Sequence, residues 1–123
     1  MKLHIDDSKT IAEIQKEFVE VFEYLKIEFF SKAHKVGETS AKKDIIDSSK
    51  KLGDIRTVHN AENLMITKDM LVSDIEKVFE NTFGIHVQIF RKQNEVWLLT
   101  TNSDNWTLEK QIEEAKFMSS PAE

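Results

Sequence analysis

Four histidines, His4, His34, His59 and His86, are the side chains of this sequence best suited to moving a proton near neutral pH. None lies three or four residues from another, so no helix carries a local pair of metal ligands. His4 and His86 fall in predicted strands and could converge across a sheet, although a partly exposed strand position accounts for each more simply. The chain has no cysteine, which removes thiolate nucleophiles, disulfides and cysteine metal sites. No glycine-rich phosphate loop, His-Glu-x-x-His pair or nucleophile elbow occurs in the sequence. The 22 acidic residues lie mainly on the polar faces of predicted helices, where solubilising charge is their simplest role. A carboxylate pair for acid–base work needs a cleft that raises one pKa, and no spacing here announces one. Trp97 and Trp106 flank the last strand-to-helix turn and read as packing residues rather than stacking platforms. The expectation is a protein without catalytic residues, metal or cofactor.

Composition narrows the partners. Hydrophobic residues make up 40% and charged residues 32%, an ordinary globular balance for a single domain of 123 residues. The formal charge of −5 argues against nucleic acid, because duplex affinity rests on neutralising phosphates. The charge is uneven: Ser31–Asn60 carries seven Lys and Arg against four Asp and Glu, which leaves −8 on the remainder. That basic stretch reads as a solvated face, with an anion contact as the sharper alternative. No apolar run reaches transmembrane length, and the N-terminus lacks the apolar core of a signal peptide. A cytoplasmic protein, away from membranes, is expected.

The elements follow from periodicity. Leu3-His4-Ile5 alternates like a short strand. Ile11, Ile14, Phe18, Val21, Phe22 and Leu25 recur at helical spacing, and Thr10 with Glu13 has the spacing of a capping box, with Ser8 as the other cap candidate. A helix over Thr10–Tyr24 and a strand over Lys26–Ser31 are predicted. Ala33–Ser40 is polar and aperiodic; Ala41–Leu52 reads as a weak helix, and Ala33–Gly53 as the most mobile stretch apart from the tail. Asp54–Val58 and Leu64–Thr67 are strand-like and suggest a hairpin. A further helix, starting near Asp69–Ser73, carries Val72, Ile75, Val78, Phe79 and Phe83, with Ser73 and Glu76 at capping spacing and Gly84 as its stop. Ile85–Arg91 and Glu95–Thr100 form a hairpin about the polar run Lys92-Gln93-Asn94. Trp106–Phe117 is a last helix with Leu108, Ile112 and Ala115 inward, and 119–123 is a frayed tail beyond a domain of 1–118.

Two blocks of the sequence repeat. Leu3, Ile5, Ile14, Phe18 and Phe22 recur 61 residues later as Leu64, Ile66, Ile75, Phe79 and Phe83. Ile27, Phe29, Phe30 and Lys32 recur 60 residues later as Val87, Ile89, Phe90 and Lys92. Strand–helix–strand therefore occurs twice, over 3–32 and 64–92, although any two amphipathic units share such periods. The predicted class is α+β: one mixed sheet with helices packed on one face, built from two βαβ-like units. A ferredoxin-like core is the first expectation and a ubiquitin-like roll the alternative.

Side chains alternate along a strand, so Ile27, Phe29, Val87 and Ile89 share the helix side. Phe30 and Phe90 then face the other way, with Lys26, Glu28, His86, Gln88 and Lys92 around them and Trp97 or its neighbours joining. An apolar centre with a polar rim is what an interface looks like. Phe30, Phe90, Glu28, Gln88, Lys92 and Trp97 are the candidate interface residues. The leading reading is a non-catalytic module, a homodimer or the binder of another protein, acting through this face. The alternatives are an acidic inhibitor of immunity-protein type that meets a basic target, or a small-ligand domain with a pocket beside Ala33–Gly53. Phe83-Gly84-Ile85-His86-Val87-Gln88-Ile89-Phe90-Arg91-Lys92 and Asp104-Asn105-Trp106-Thr107-Leu108-Glu109-Lys110-Gln111 resemble segments of small uncharacterised bacterial α+β proteins. That resemblance covers about a third of the chain and implies no activity or site residue.

Overall fold

The computed structural model describes residues 1–31, 44–100 and 103–119, with side chains in the last helix to Phe117. His34, the whole aperiodic Ala33–Ser40 stretch, the start of the predicted Ala41–Leu52 helix and the end of the tail lie outside them. In order come β1 (Lys2–Ile5), α1 (Ile11–Val21), β2 (Leu25–Phe30), a 3-10 turn (Leu52–Asp54), β3 (Glu62–Met65), α2 (Val72–Phe83), β4 (His86–Gln93), β5 (Val96–Leu99) and α3 (Leu108–Ser119).

The local signals place most of these boundaries. Thr10 caps α1: its hydroxyl accepts from the Glu13 N–H at 3.2 Å, and the Glu13 carboxylate accepts from the Thr10 N–H at 3.4 Å. Gly84 ends α2 at φ 66°, and Ile85 N–H reaches back to the Phe79 carbonyl at 3.0 Å. The start of α2 departs from expectation. Leu71, not Ser73, is the N-cap, and the Asp74 carboxylate accepts from its N–H at 3.4 Å. The hairpin turn is tighter than the polar run suggested: Gln93 pairs with Val96, leaving Asn94 and Glu95 in the turn with Asn94 at φ 56°. Asparagine tolerates that left-handed conformation better than most residues.

The fold is α+β. Its named strands divide into two antiparallel sheets, β1-β3 and β2-β4-β5, where one mixed sheet was expected. Neither the ferredoxin-like nor the ubiquitin-like arrangement is established by this topology. The reason is pairing partner: β1 and β2 each pair across the repeat rather than beside one another. The strand expected over Leu64–Thr67 lies two residues earlier, at Glu62–Met65, and pairs with β1, and Asp54–Val58 forms none. The described part of the predicted Ala41–Leu52 helix is extended and turned instead. Ile45 bridges Phe30, with Ser31 N–H on the Asp44 carbonyl and Ile46 N–H on the Phe29 carbonyl.

Each cross-repeat pairing is centred on matched residues. Leu3 faces Leu64 in β1-β3, and Glu28 faces Gln88 in β2-β4. A twofold axis relating two copies of one unit produces that register. The hydrogen bonds at the helix starts recur in the same way. Ile11 N–H meets the Lys50 carbonyl at 3.0 Å, and Val72 N–H meets Trp106 at 3.0 Å. Ala12 N–H meets Ser48 at 2.9 Å, and Ser73 N–H meets Asp104 at 2.8 Å. The return bonds match too: Leu52 to Lys9 at 2.9 Å with Leu108 to Met70 at 3.0 Å, and Gly53 to Asp7 at 3.1 Å with Glu109 to Lys68 at 3.0 Å. Residues 61 apart are matched on one side of these bonds and residues 56 apart on the other. The first N–H groups of a helix have no partner within it, and here a returning chain segment supplies one at α1 and at α2.

The recurring apolar positions form the core. Ile14, Phe18, Phe22, Ile75, Phe79 and Phe83 are all buried, and Phe29 meets Phe79 edge-on at 6.1 Å between centroids. Leu108, Ile112 and Ala115 bring α3 to the same side of the larger sheet. Removing either fully buried ring leaves a cavity in the core. Phe18→Ala or Phe79→Ala is expected to cost roughly 3–5 kcal/mol in chemical denaturation. A loss below about 1 kcal/mol would mean that the site collapses around the missing ring.

Candidate functional site

Directly opposed residues of an antiparallel sheet lie on the same side, so the register builds the face away from the helices row by row. Phe30 opposes His86, Glu28 opposes Gln88, Lys26 opposes Phe90 and then Leu99, and Lys92 opposes Trp97. Phe30 and Phe90 are thus on neighbouring strands but at opposite ends of the paired stretch. Phe30 is 3% exposed and Gln88 2%, so both are interior residues and neither offers itself to a partner. Phe30 is held where Ile45 bridges its strand. His86 Nδ1 and Gln88 Oε1 are buried without a hydrogen-bond partner.

The other candidates remain at the surface. Glu28, Phe90 and Lys92 are half-buried, and Trp97 is 37% exposed. Lys26 Nζ sits 5.0 Å from the Phe90 ring centre and 5.1 Å from that of Trp97, and 3.7 Å from the Glu28 carboxylate. One cation thus lies over two aromatic faces, which favours it electrostatically. On the opposite side of β5, Val96 is 58% exposed and Leu98 36%. The candidate surface contracts from the whole face to the corner formed by β5 and the adjoining end of β4.

Among the described residues, no strand pairs with the outer edge of β5. Thr100 N–H donates to the Ile89 carbonyl, which fixes which pairs exchange hydrogen bonds. Alternation then directs the N–H and C=O groups of Val96 and Leu98 toward β4, and those of Trp97 and Leu99 away from the sheet. No hydrogen bond joins the Trp97 or Leu99 main chain to another described residue across that edge. The outer edge of β2 differs: Phe22, Ile46 and Asp44 bond its main chain, and Gln15 Nε2 donates to the Ile27 carbonyl at 2.8 Å.

A second polar cluster lies elsewhere and was not signalled by the sequence. The Arg56 side chain is fully buried. Its Nε donates to Asp7 Oδ1 at 2.9 Å, Nη1 to Asn60 Oδ1 at 2.8 Å and to the Phe83 carbonyl at 3.3 Å, and Nη2 to the Asn60 carbonyl at 2.6 Å. Nη2 also lies 2.8 Å from Asp7 Oδ1, so the donors of the guanidinium are committed within the protein. His59 Nδ1 lies 2.7 Å from Asp7 Oδ2. Burial raises the Asp7 carboxyl, but hydrogen bonds from Arg56 and His59 outweigh it and hold the group below its ordinary range. Arg56 and His59 lie 49 and 52 residues beyond Asp7 in sequence, and only the fold brings them to it. The arrangement ties the 52–60 segment to the end of α2 and to the turn before α1.

His4 and His86 do not converge. His4 belongs to the smaller sheet, where its nitrogens meet Asn63 at 2.9 Å and Asp6 at 3.0 Å. Trp106 is flanked by cations, with Lys110 Nζ 4.3 Å and the Arg91 guanidinium 5.6 Å from its ring centre. A cleft of 130 Å³ is lined by Phe30, Ser31, Ile46, Ile55, Thr57 and His86, among others. Among the described residues no group of three His, Asp or Glu side chains is placed to hold a metal. No helix among them is long and apolar enough to cross a membrane. Comparison with family models, with curated proteins and with solved structures finds no match to this chain.

The Arg56 cluster yields a stability test. Arg56→Met deletes every bond of a buried guanidinium and should cost about 3 kcal/mol. Asp7 has a lowered folded-state pKa, so its contribution is complete above the unfolded carboxylate value of about 3.9 and is lost as pH falls through the folded value. Asp6, Asp47 and Asp69 are lowered as well, through hydrogen bonds from Ser8, Ser49 and Thr67. Asp7→Asn should therefore flatten, without abolishing, the fall of stability below about pH 4. An unchanged slope in acid denaturation would remove Asp7 from the account.

Proposed function

We propose that this chain is a non-catalytic protein-interaction module that makes its contact at the β5 corner. The observation that carries this reading is a strand edge left unpaired by the described residues, beside exposed apolar side chains. Val96, Trp97 and Leu98 are adjacent, uncharged and exposed, in a chain whose composition is otherwise charge-rich. An open edge is a template for another strand, and soluble proteins usually protect it with charge, proline or a bulge. Val96–Leu99 carries no charged or proline residue. Phe90, Lys92 and Trp97 belong to this contact and Glu28 lies at its margin, while Phe30 and Gln88 are interior residues outside it. The immunity-type alternative draws less support, because Lys9 and Lys16 interleave with the carboxylates of α1 and Lys9 pairs with Glu17 at 2.8 Å.

We also read the two halves as copies of one unit. The matched hydrogen bonds at the helix starts support this more strongly than apolar periodicity, because their spacing is not imposed by helix or strand period.

The double variant Val96→Lys with Leu98→Lys tests the interaction reading. Both side chains point away from the open side of the sheet and are exposed, so stability should change by less than about 1 kcal/mol. In native extract, the wild-type chain should migrate above its monomer mass and the variant at it. Migration of the wild type at monomer mass, both in extract and when purified, would defeat the proposal.

A further inference from the structure

The open edge admits many strands, but one occupant matches it in charge as well as shape. We propose that β5 pairs antiparallel with β5 of a second copy of this chain, Trp97 facing Trp97, joining two three-stranded sheets into one of six. This rests on the interaction reading above and adds the partner and the register.

The outward N–H and C=O groups of the strand belong to Trp97 and Leu99. A twofold axis through Trp97 sets Trp97 opposite Trp97, where the two residues exchange both main-chain bonds reciprocally, as an isologous contact requires. Leu99 then stands opposite Glu95 in the hairpin turn of the second copy. The same register settles the side chains. The row Lys26–Phe90–Leu99 would continue into Glu95 of the second copy, on the same side of the sheet. Lys26 already leans along that row, with Nζ over both Phe90 and Trp97. Glu95 is exposed and forms no ion pair among the described residues. The register therefore sets charges of opposite sign at the two ends of that row, with Phe90 and Leu99 between them, despite the net charge of −5 on each chain. Registers centred on Val96 or Leu98 also satisfy the main chain, but they do not set Glu95 against the end of the Lys26 row.

Engineered thiols read this register directly, since the chain has no cysteine of its own. Trp97 facing Trp97 places Val96 directly opposite Leu98 of the second copy, about 4.5 Å apart between Cα atoms, within disulfide range. Under mild oxidation a mixture of Val96→Cys and Leu98→Cys chains should give a covalent heterodimer. Either variant alone should cross-link far more slowly. Purified wild type should double in mass with rising concentration. Trp97→Glu should stay monomeric while keeping its circular dichroism, because two carboxylates would face each other. Glu95→Lys should weaken the dimer, and adding Lys26→Glu should restore it. A Leu98→Cys chain that cross-links mainly to itself would overturn the register. A purified wild type that stays monomeric at high micromolar concentration would overturn self-pairing. If that monomer still migrates as a larger species in extract through the same corner, the interaction reading survives and only the second copy is wrong.

Discussion

The fold depends on main-chain pairing between its two halves. β1 with β3 and β2 with β4 are each centred on matched residues, Leu3 with Leu64 and Glu28 with Gln88. The core joins the halves as well, since Phe79 of α2 meets Phe29 of β2 edge-on. Burying Phe18, Phe22, Phe79 and Phe83 contributes stability only once those pairings exist. The helix starts add a second constraint. Their leading N–H groups are met by a returning segment, so α1 is fixed to 48–53 and α2 to 104–109.

The two halves then diverge where the molecule meets its surroundings. In the first half, Ile45 bridges Phe30 and the Arg56 cluster fastens the following segment to Asp7 and the end of α2. In the second half the corresponding position beside Phe90 is taken by Leu99, in a regular strand whose outer edge no described residue pairs. The edge sits on a rigid support, because Arg91 from the neighbouring strand bonds to buried Gln111 of α3 at 2.7 Å. A stable scaffold therefore presents a short apolar strand, which lowers the ordering cost of any contact made there.

The helices, their caps at Thr10 and Gly84, and the hairpin were legible in the sequence because their signals are local. Helical spacing of Ile14, Phe18, Ile75 and Phe79 demands one buried side. The proposal that the halves are copies of one unit starts from the same positions. Strand partners were not, since β1 and β3 are about sixty residues apart and alternation alone does not choose a neighbour. Phe30 was misread for this reason: its side of the sheet followed from alternation, but its burial depends on a bridge to Ile45. The 44–52 segment gave helical periodicity, yet its main chain is committed to β2 and to the start of α1. Asp7, Arg56 and His59 gave no signal at all, because a polar cluster assembled from distant turns has no period.

Amide hydrogen exchange along β5, followed against protein concentration, tests the central claim most directly. Val96 and Leu98 N–H groups face β4 and should be protected at every concentration. Trp97 and Leu99 N–H groups should exchange freely in dilute solution and become protected as the chain associates. Trp97 and Leu99 amides that stay unprotected at the highest concentration, beside protected Val96 and Leu98, would contradict a paired edge.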